Sequence, residues 1–332
     1  MLDVEVAQDF SAKLGHWKRM INERLIRIRQ DEKPAILYEP IKYVLEGEGK
    51  RIRPILLLLS CRAVGGHVES CLDAAAAVEL LHNFTLVHDD IMDQDGTRRG
   101  RETVHKKWDT DVALLAGDGL VALAYQALLK TRSDRIAEIA SVFTDGIVEL
   151  CEGQALDREF ENRENVLLDE YLQMIEKKTA TLLSVSAKIG AIIGQGADHE
   201  IRALEAFGLN LGRAFQIQDD LLDIVSREEI LGKTFGSDVM RRKRTYLLVH
   251  ALSHADLTDR EKILRALARP PIEYGDILEI RNLYEKIGSI DAARKAVQKY
   301  LYCAETDLEQ IARSTAREDL LDLLKFLSHR NA

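Results

Sequence analysis

Between Pro54 and Pro270 this chain has no proline: its five, Pro34, Pro40, Pro54, Pro270 and Pro271, leave residues 55–269 without a helix breaker. That stretch is rich in Ala, Leu, Glu and Arg. Within it Asp111 to Lys130, Leu167 to Gly194 and Ile201 to Val225 carry apolar residues at spacings of three and four, without the alternation of a strand. Several of these segments are apolar around most of the circumference, which suits the interior of a bundle of about a dozen helices. The expectation is an all-α fold, one domain over residues 1–332, with no linker rich in Gly, Ser or Pro. Pro54 fits a helix start, and Ser237 or Asp238 fits a cap on another helix.

Two acidic clusters share one spacing, Asp89-Asp90-Ile91-Met92-Asp93 and Asp219-Asp220-Leu221-Leu222-Asp223. On a helix, positions i and i+4 share a side, so Asp89 over Asp93 and Asp219 over Asp223 stack like charges and call for a cation between them. Their flanks are apolar: Leu80, Leu81, Phe84, Leu86 and Val87 before the first, Phe215, Ile217 and Ile224 around the second. Carboxylates in such surroundings point into a shared cavity and stay ionised only if paired or bound to metal. Oxygen donors without a Cys or His set favour magnesium, which keeps phosphate oxygens as co-ligands, so the two clusters point to a bound diphosphate.

Cations stand nearby in the sequence. Gly47-Glu48-Gly49-Lys50-Arg51-Ile52-Arg53-Pro54 sets three ahead of a predicted helix, Arg98-Arg99-Gly100 follows the first acidic cluster, and Lys178-Thr179 and Lys243-Arg244-Thr245 pair cations with hydroxyls. The run Arg241 to Arg244 also resembles a nucleic-acid patch, but a formal net charge of −9 and its place after Gly236-Ser237-Asp238 favour a flap over the phosphates. His82 on an apolar helix reads from its surroundings as a hydrogen-bonded core residue, and Asp118 as a structural hydrogen-bonding aspartate. Cys61, Cys71, Cys151 and Cys303 lack the density of a disulfide framework and the spacing of metal ligands, so they read as reduced core residues. No apolar run reads as a membrane span and the acidic start has no signal-peptide pattern, so the expected location is cytoplasmic.

In order along the chain, Gly49 to Pro54, Asp89 to Asp93 with Arg98 to Gly100, Gly153-Gln154 with Asp157, Lys178-Thr179, and Phe215-Gln216 with Asp219, Asp220 and Asp223 resemble the signature of the trans-isoprenyl diphosphate synthases (polyprenyl synthetases). The likeness runs from about Gly47 to about Leu248 and is closest to the geranylgeranyl diphosphate synthases. It implies helices around a deep central cavity and a head-to-tail condensation of isopentenyl diphosphate with an allylic diphosphate. It also implies a homodimer, and no nucleic-acid partner or transmembrane anchor. By the same resemblance Asp89, Asp90 and Asp93 bind two Mg2+ ions, and Asp219 with Asp223 takes a third, Mn2+ being an alternative. Arg98, Lys178 and Lys243 then contact the allylic diphosphate, Lys50, Arg53, His82 and Arg99 hold that of isopentenyl diphosphate, and Lys233 also binds substrate. Thr179 and Gln216 present oxygens to the allylic cation, and Gln154 and Asp157 either orient a ligand or lysine or serve helix packing.

Three positions depart from the pattern: Glu48 replaces a second glycine, Arg242 a glycine before the late lysine, and Leu247 a proline. None removes a ligand. Phe84, five residues before Asp89 and so roughly 7.5 Å along a helix, resembles the aromatic stop of twenty-carbon synthases, with Thr85 beside it too small to act. The expected product is geranylgeranyl diphosphate, with the fifteen- and twenty-five-carbon diphosphates as neighbours. Two other readings stand beside this one, a class I terpene cyclase and a non-catalytic partner subunit of a prenyl synthase.

Overall fold

One helix begins at a side-chain cap: the backbone of Asp109 is extended (φ −155°, ψ 179°), its carboxylate accepts the amide of Val112 at 2.7 Å, and helix runs from Thr110 to Leu128. In the computed structural model, residues 2–28, 33–225, 235–268 and 272–328 are described, the side chains of 2–9 and 11 excepted. The helices are α1 Leu2–Arg27, α2 Ala35–Glu46, α3 Ile52–Ala63, α4 Val68–Met92, α5 Val104–Lys107, α6 Thr110–Leu128, α7 Ile136–Glu161, α8 Leu168–Ile175, α9 Thr181–Ile193 and α10 Asp198–Val225, then α11 Ser237–Met240, α12 Tyr246–His254, α13 Leu257–Ala268, α14 Tyr274–Ile287, α15 Ser289–Asp307 and α16 Thr315–Ser328. The fold is all-α, as the proline-free stretch predicts, and Pro54 lies in the first turn of α3.

Packing divides the chain into two compact units. The first comprises Met1–Thr144, Val185–Glu205 and Gln310–Leu323. Its core is the fully buried run Ile55 to Leu59 of α3 against Ala74 to Ala77, Leu80 and Leu81 of α4, with the inner face of α6 packed on α4. Each buried leucine contributes about 1.5–3 kcal/mol, and the alanines let the helix axes approach. The second unit comprises Asp145–Ser184, Ala206–Glu309 and Leu324–Ala332. Tyr171, Met174, Ile217, Ile224, Leu247, Ile280 and Tyr284 form its core.

Two local departures from regular helix matter for the site. Thr97–Arg98 and Arg101–Glu102 form a small antiparallel hairpin, β1 and β2, with Arg98 opposite Arg101. Both corner residues, Arg99 (φ 52°) and Gly100 (φ 74°), are left-handed, the conformation of a two-residue hairpin turn that matches strand twist. The second departure is a π-turn over Glu176–Ala180, between α8 and α9.

Among the described residues α6 has the length and composition to cross a membrane, contrary to the expectation from sequence, and half of it is buried. Its outer face leaves Leu114 43% and Leu115 51% exposed, and Leu129 just past its end 60%. Asp118, expected as a structural hydrogen-bonding aspartate, is exposed on that face. All four cysteines are free, with Cys61 and Cys71 buried but Cys151 exposed, so the expectation of four core cysteines fails at Cys151.

Candidate active site

Asp89 and Asp90 lie in the last turn of α4 and Asp93 caps it, its amide donating to Asp89 O at 2.8 Å. A helix C-terminus is the least favourable place for three carboxylates, because its own carbonyls are partly negative. The buried Asp90 accepts from Arg98 Nε at 2.5 Å, and Arg98 Nη2 reaches Asp95 at 3.5 Å. Burial raises the Asp90 carboxyl to about 6, with Asp95 and Asp89 adding to the rise and Arg98 opposing it.

Of the three cations, Lys50 and Arg51 precede α3 while Arg53 lies in its first turn, and they separate. Lys50 is exposed, Arg53 is half-buried, and Arg51, held at φ 55°, turns inward. Arg51 donates to the buried Glu79 carboxylate at 2.6 Å, to Leu45 O at 3.0 Å and to Asn22 Oδ1 at 3.0 Å. Gly49 sits between guanidiniums: a Cβ there would lie 2.8 Å from Arg99 Nη1 and 2.9 Å from Arg51 Nη1. Arg53 Nη1 stands 3.2 Å from His82 Nε2. Arginine only donates, so this nitrogen accepts and the ring is neutral. Burial, then Arg53, Arg99, Arg98 and Arg51, hold the His82 pKa well below 6.5. The positive charge gathered here exceeds what the Glu79 carboxylate can match.

In the second unit the π-turn presents Lys178 and Thr179. Gly153 of α7 makes the close approach possible, since a Cβ there would fall 2.3 Å from Lys178 N, and Gly212 of α10 does the same against Ala180 Cα at 2.4 Å. Lys178 Nζ donates to Asp157 at 2.5 Å, so Asp157 positions a lysine, one of the alternatives the sequence leaves open. Thr179 Oγ1 lies 2.9 Å from Gln216 Oε1, which differs from two oxygens aimed together at substrate.

The second acidic cluster divides its work. Asp219 is half-buried. The buried Asp220 accepts from Tyr171 OH at 2.6 Å, Tyr246 N at 2.9 Å and Gln216 Nε2 at 2.9 Å. Burial raises its carboxyl to about 6 although all three hydrogen bonds pull it down. The buried Asp223 accepts from Ser237 Oγ at 2.7 Å and Asp238 N at 3.1 Å. Ser237 and Asp238 are therefore not the cap expected of them: Gly236 is the N-cap of α11, and Asp223 reaches across from α10 to serve the start of that helix. Burial and then Asp223, Asp220 and Asp219 push Asp238 up to about 7, with Lys243 opposing.

Arg242 has φ 56°, a backbone that explains why a glycine suits this position, and Lys243 N donates to Asp238 O at 2.9 Å. Arg244 turns away to the carbonyls of Phe160 and Arg163, so the run Arg241 to Arg244 is no uniform basic patch. Lys233 lies outside the described residues.

Phe84 is half-buried on α4 with its ring edge-on to His88, centroids 4.7 Å apart, while Thr85 Oγ1 donates back to His82 O at 2.8 Å. The His88 ring occupies the space of a missing side chain on Gly117 of α6, 2.1 Å from its would-be Cβ.

Among the described residues no three His, Cys, Asp or Glu side chains converge as a ready-made metal cage. The donor set nevertheless suits Mg2+, which binds through one or two carboxylates and retains water and phosphate oxygens. Burial, and after it neighbouring carboxylates, raises the carboxyls of Asp90 and Asp238, and a cation beside them would favour their ionised forms. A carboxyl with raised pKa binds a proton in place of the metal as pH falls through that value. Thermal stabilisation by excess Mg2+ is therefore expected to be clear at pH 7.5 and largely lost at pH 5.5. Equal shifts at both would mean that neither carboxylate takes part.

A polyprenyl synthetase family model matches residues 34–285. The short chain isoprenyl diphosphate synthase of Methanothermobacter thermautotrophicus is 41% identical over 321 residues, 96% of this chain and 97% of that protein. The geranylgeranyl diphosphate synthase of Methanosarcina mazei is 38% identical, over 91% and 96%. The crystal structure of geranylgeranyl pyrophosphate synthetase from Pyrococcus horikoshii superimposes with a TM-score of 0.94 at 39% identity, over 98% of this chain and 99% of that one.

Proposed function

The chain belongs to the polyprenyl synthetase family and is a trans-prenyltransferase acting on isopentenyl and allylic diphosphates, and from that premise we propose that its main product is geranylgeranyl diphosphate. Asp89, Asp90, Asp93, Asp219 and Asp223 would hold the Mg2+ on which the family generally depends, three ions in all. Bound there, the metal would neutralise the diphosphate and make it a better leaving group. Arg98, Lys178 and Lys243 grip the allylic diphosphate, Lys50, Arg53, His82 and Arg99 grip the other, and Lys233 also binds substrate. His82, neutral and accepting from Arg53, keeps that guanidinium aimed. The allylic carbon–oxygen bond breaks with its electron pair on pyrophosphate, and Thr179 faces the resulting cation. The double bond of isopentenyl diphosphate attacks it, and a proton leaves to pyrophosphate, giving a chain five carbons longer.

The observation that carries this reading is the cluster around Gly49, where Arg51, Arg53 and Arg99 gather beside one buried carboxylate. A cyclase needs no second diphosphate and no such cluster. Mass analysis after incubation with Mg2+, isopentenyl diphosphate and, separately, dimethylallyl, geranyl and farnesyl diphosphates is the test. Mainly twenty-carbon product is expected, and folded protein that makes no isoprenoid from any starter would sink the proposal.

The same proposal includes a homodimer built on the outer face of α6, where Leu114, Leu115 and Leu129 remain exposed. Sedimentation velocity should give a dimer for the native chain and a monomer for Leu115→Glu; a monomeric native chain refutes it. A cytoplasmic location completes the proposal and is supported by four free cysteines.

A further inference from the structure

A one-way chain of hydrogen bonds runs through the second unit. Ionised Asp220 only accepts, so Gln216 must turn its Nε2 to Asp220 Oδ1, 2.9 Å away. The amide oxygen of Gln216 then faces Thr179, whose hydroxyl has to donate, at 2.9 Å. Tyr171 OH and the Tyr246 amide occupy Asp220 Oδ2 at 2.6 and 2.9 Å, so the carboxylate cannot swing away. With its proton committed to Gln216, Thr179 keeps only lone pairs for anything positive beside it.

We propose that Asp220 is a positioning residue, not a metal ligand: through Gln216 it fixes the polarity of the Thr179 hydroxyl, so that an oxygen and never a proton faces the allylic cation. Its role rests on the prenyl-transfer reading of the site. The carboxylate polarises Gln216, Gln216 polarises Thr179, and a buried negative charge is delivered at a distance as an oriented dipole. Through the Tyr246 amide the same carboxylate anchors the start of α12, next to Lys243, Arg244 and Thr245.

Asp220→Asn tests this without changing shape. Tyr171 OH and Tyr246 N both donate, so the oxygen of the introduced amide must stay with them and its NH2 must face Gln216. Gln216 then turns its oxygen to that NH2 and its own NH2 to Thr179, and the Thr179 proton swings outward. The expected result at pH 8 is a fall in kcat of about 100-fold with both KM values within about twofold of native and an unchanged melting temperature. Adding Gln216→Glu moves the carboxylate one link along the chain, restores an acceptor for both the introduced amide and Thr179, and should recover at least about tenfold of the lost kcat. Native kcat in Asp220→Asn, a loss confined to KM, or a double variant no faster than the single one overturns the proposal. Native protein unable to make any prenyl product would instead overturn the prenyl-transfer reading on which it stands.

Discussion

Asp89→Asn lowers kcat by about 100- to 1,000-fold and raises the Mg2+ concentration needed for half-maximal rate. Asp90 is buried and held by Arg98, whereas Asp89 and Asp93 stand half-buried at the end of the helix, where an incoming ion can reach them. Removing one of them weakens the hold on the Mg2+ that would neutralise the departing diphosphate. The same change removes a like charge from a helix C-terminus. In the absence of Mg2+ the variant is therefore expected to be more stable than the native chain, by roughly 0.3–1 kcal/mol. Kinetics across a Mg2+ titration, with melting curves in EDTA, check both halves. A variant of native kcat would remove Asp89 from the metal set; slow turnover with lower metal-free stability would mean that Asp89 supports the fold.

Phe84→Ala lengthens the product by at least one five-carbon unit. The ring stands one helical turn before His88 on α4, and its removal opens space along the helix axis that His88, braced over Gly117, does not fill. A half-buried phenylalanine is expected to cost about 2–3 kcal/mol when truncated, at or just below the low end of the core range, so the protein should remain folded. Product chromatography with farnesyl diphosphate as starter reads the result directly. An unchanged twenty-carbon product would move the floor to another side chain while leaving the chemistry intact.

The parts of this molecule that were legible in the sequence are those whose logic is local. Helix follows from the missing prolines, and the acidic clusters and arginine pairs announce themselves because i to i+4 spacing on an apolar helix makes like charges conspicuous. The illegible parts depend on partners far along the chain. Arg51 reads as one of three equivalent cations until Glu79, an isolated acid in the run Ala74 to Leu81, is seen to pair with it. That lone carboxylate was the available signal. Asp220 and Asp223 match Asp90 and Asp93 in sequence, yet Tyr246 and Ser237 claim them, because α11 and α12 return to α10. Nothing in Glu176 to Ala180 marks a π-turn; the clue lies in Gly153 and Gly212, whose missing side chains admit a backbone that bulges.

A π-turn carries one residue more than the α-helix would, and each added residue rotates the next stretch of helix by about 100°. The rod from Leu168 to Ile193 is thus two helices out of phase, joined at a seam. Ahead of it Tyr171 meets Asp220, and beyond it Thr181 meets Glu149. In an uninterrupted helix the choice of one face dictates the other, so satisfying Tyr171 would misaim everything after it. The seam frees the two halves from each other, and Thr179 sits on it: its aim is set by the fault in the helix, not by the helix.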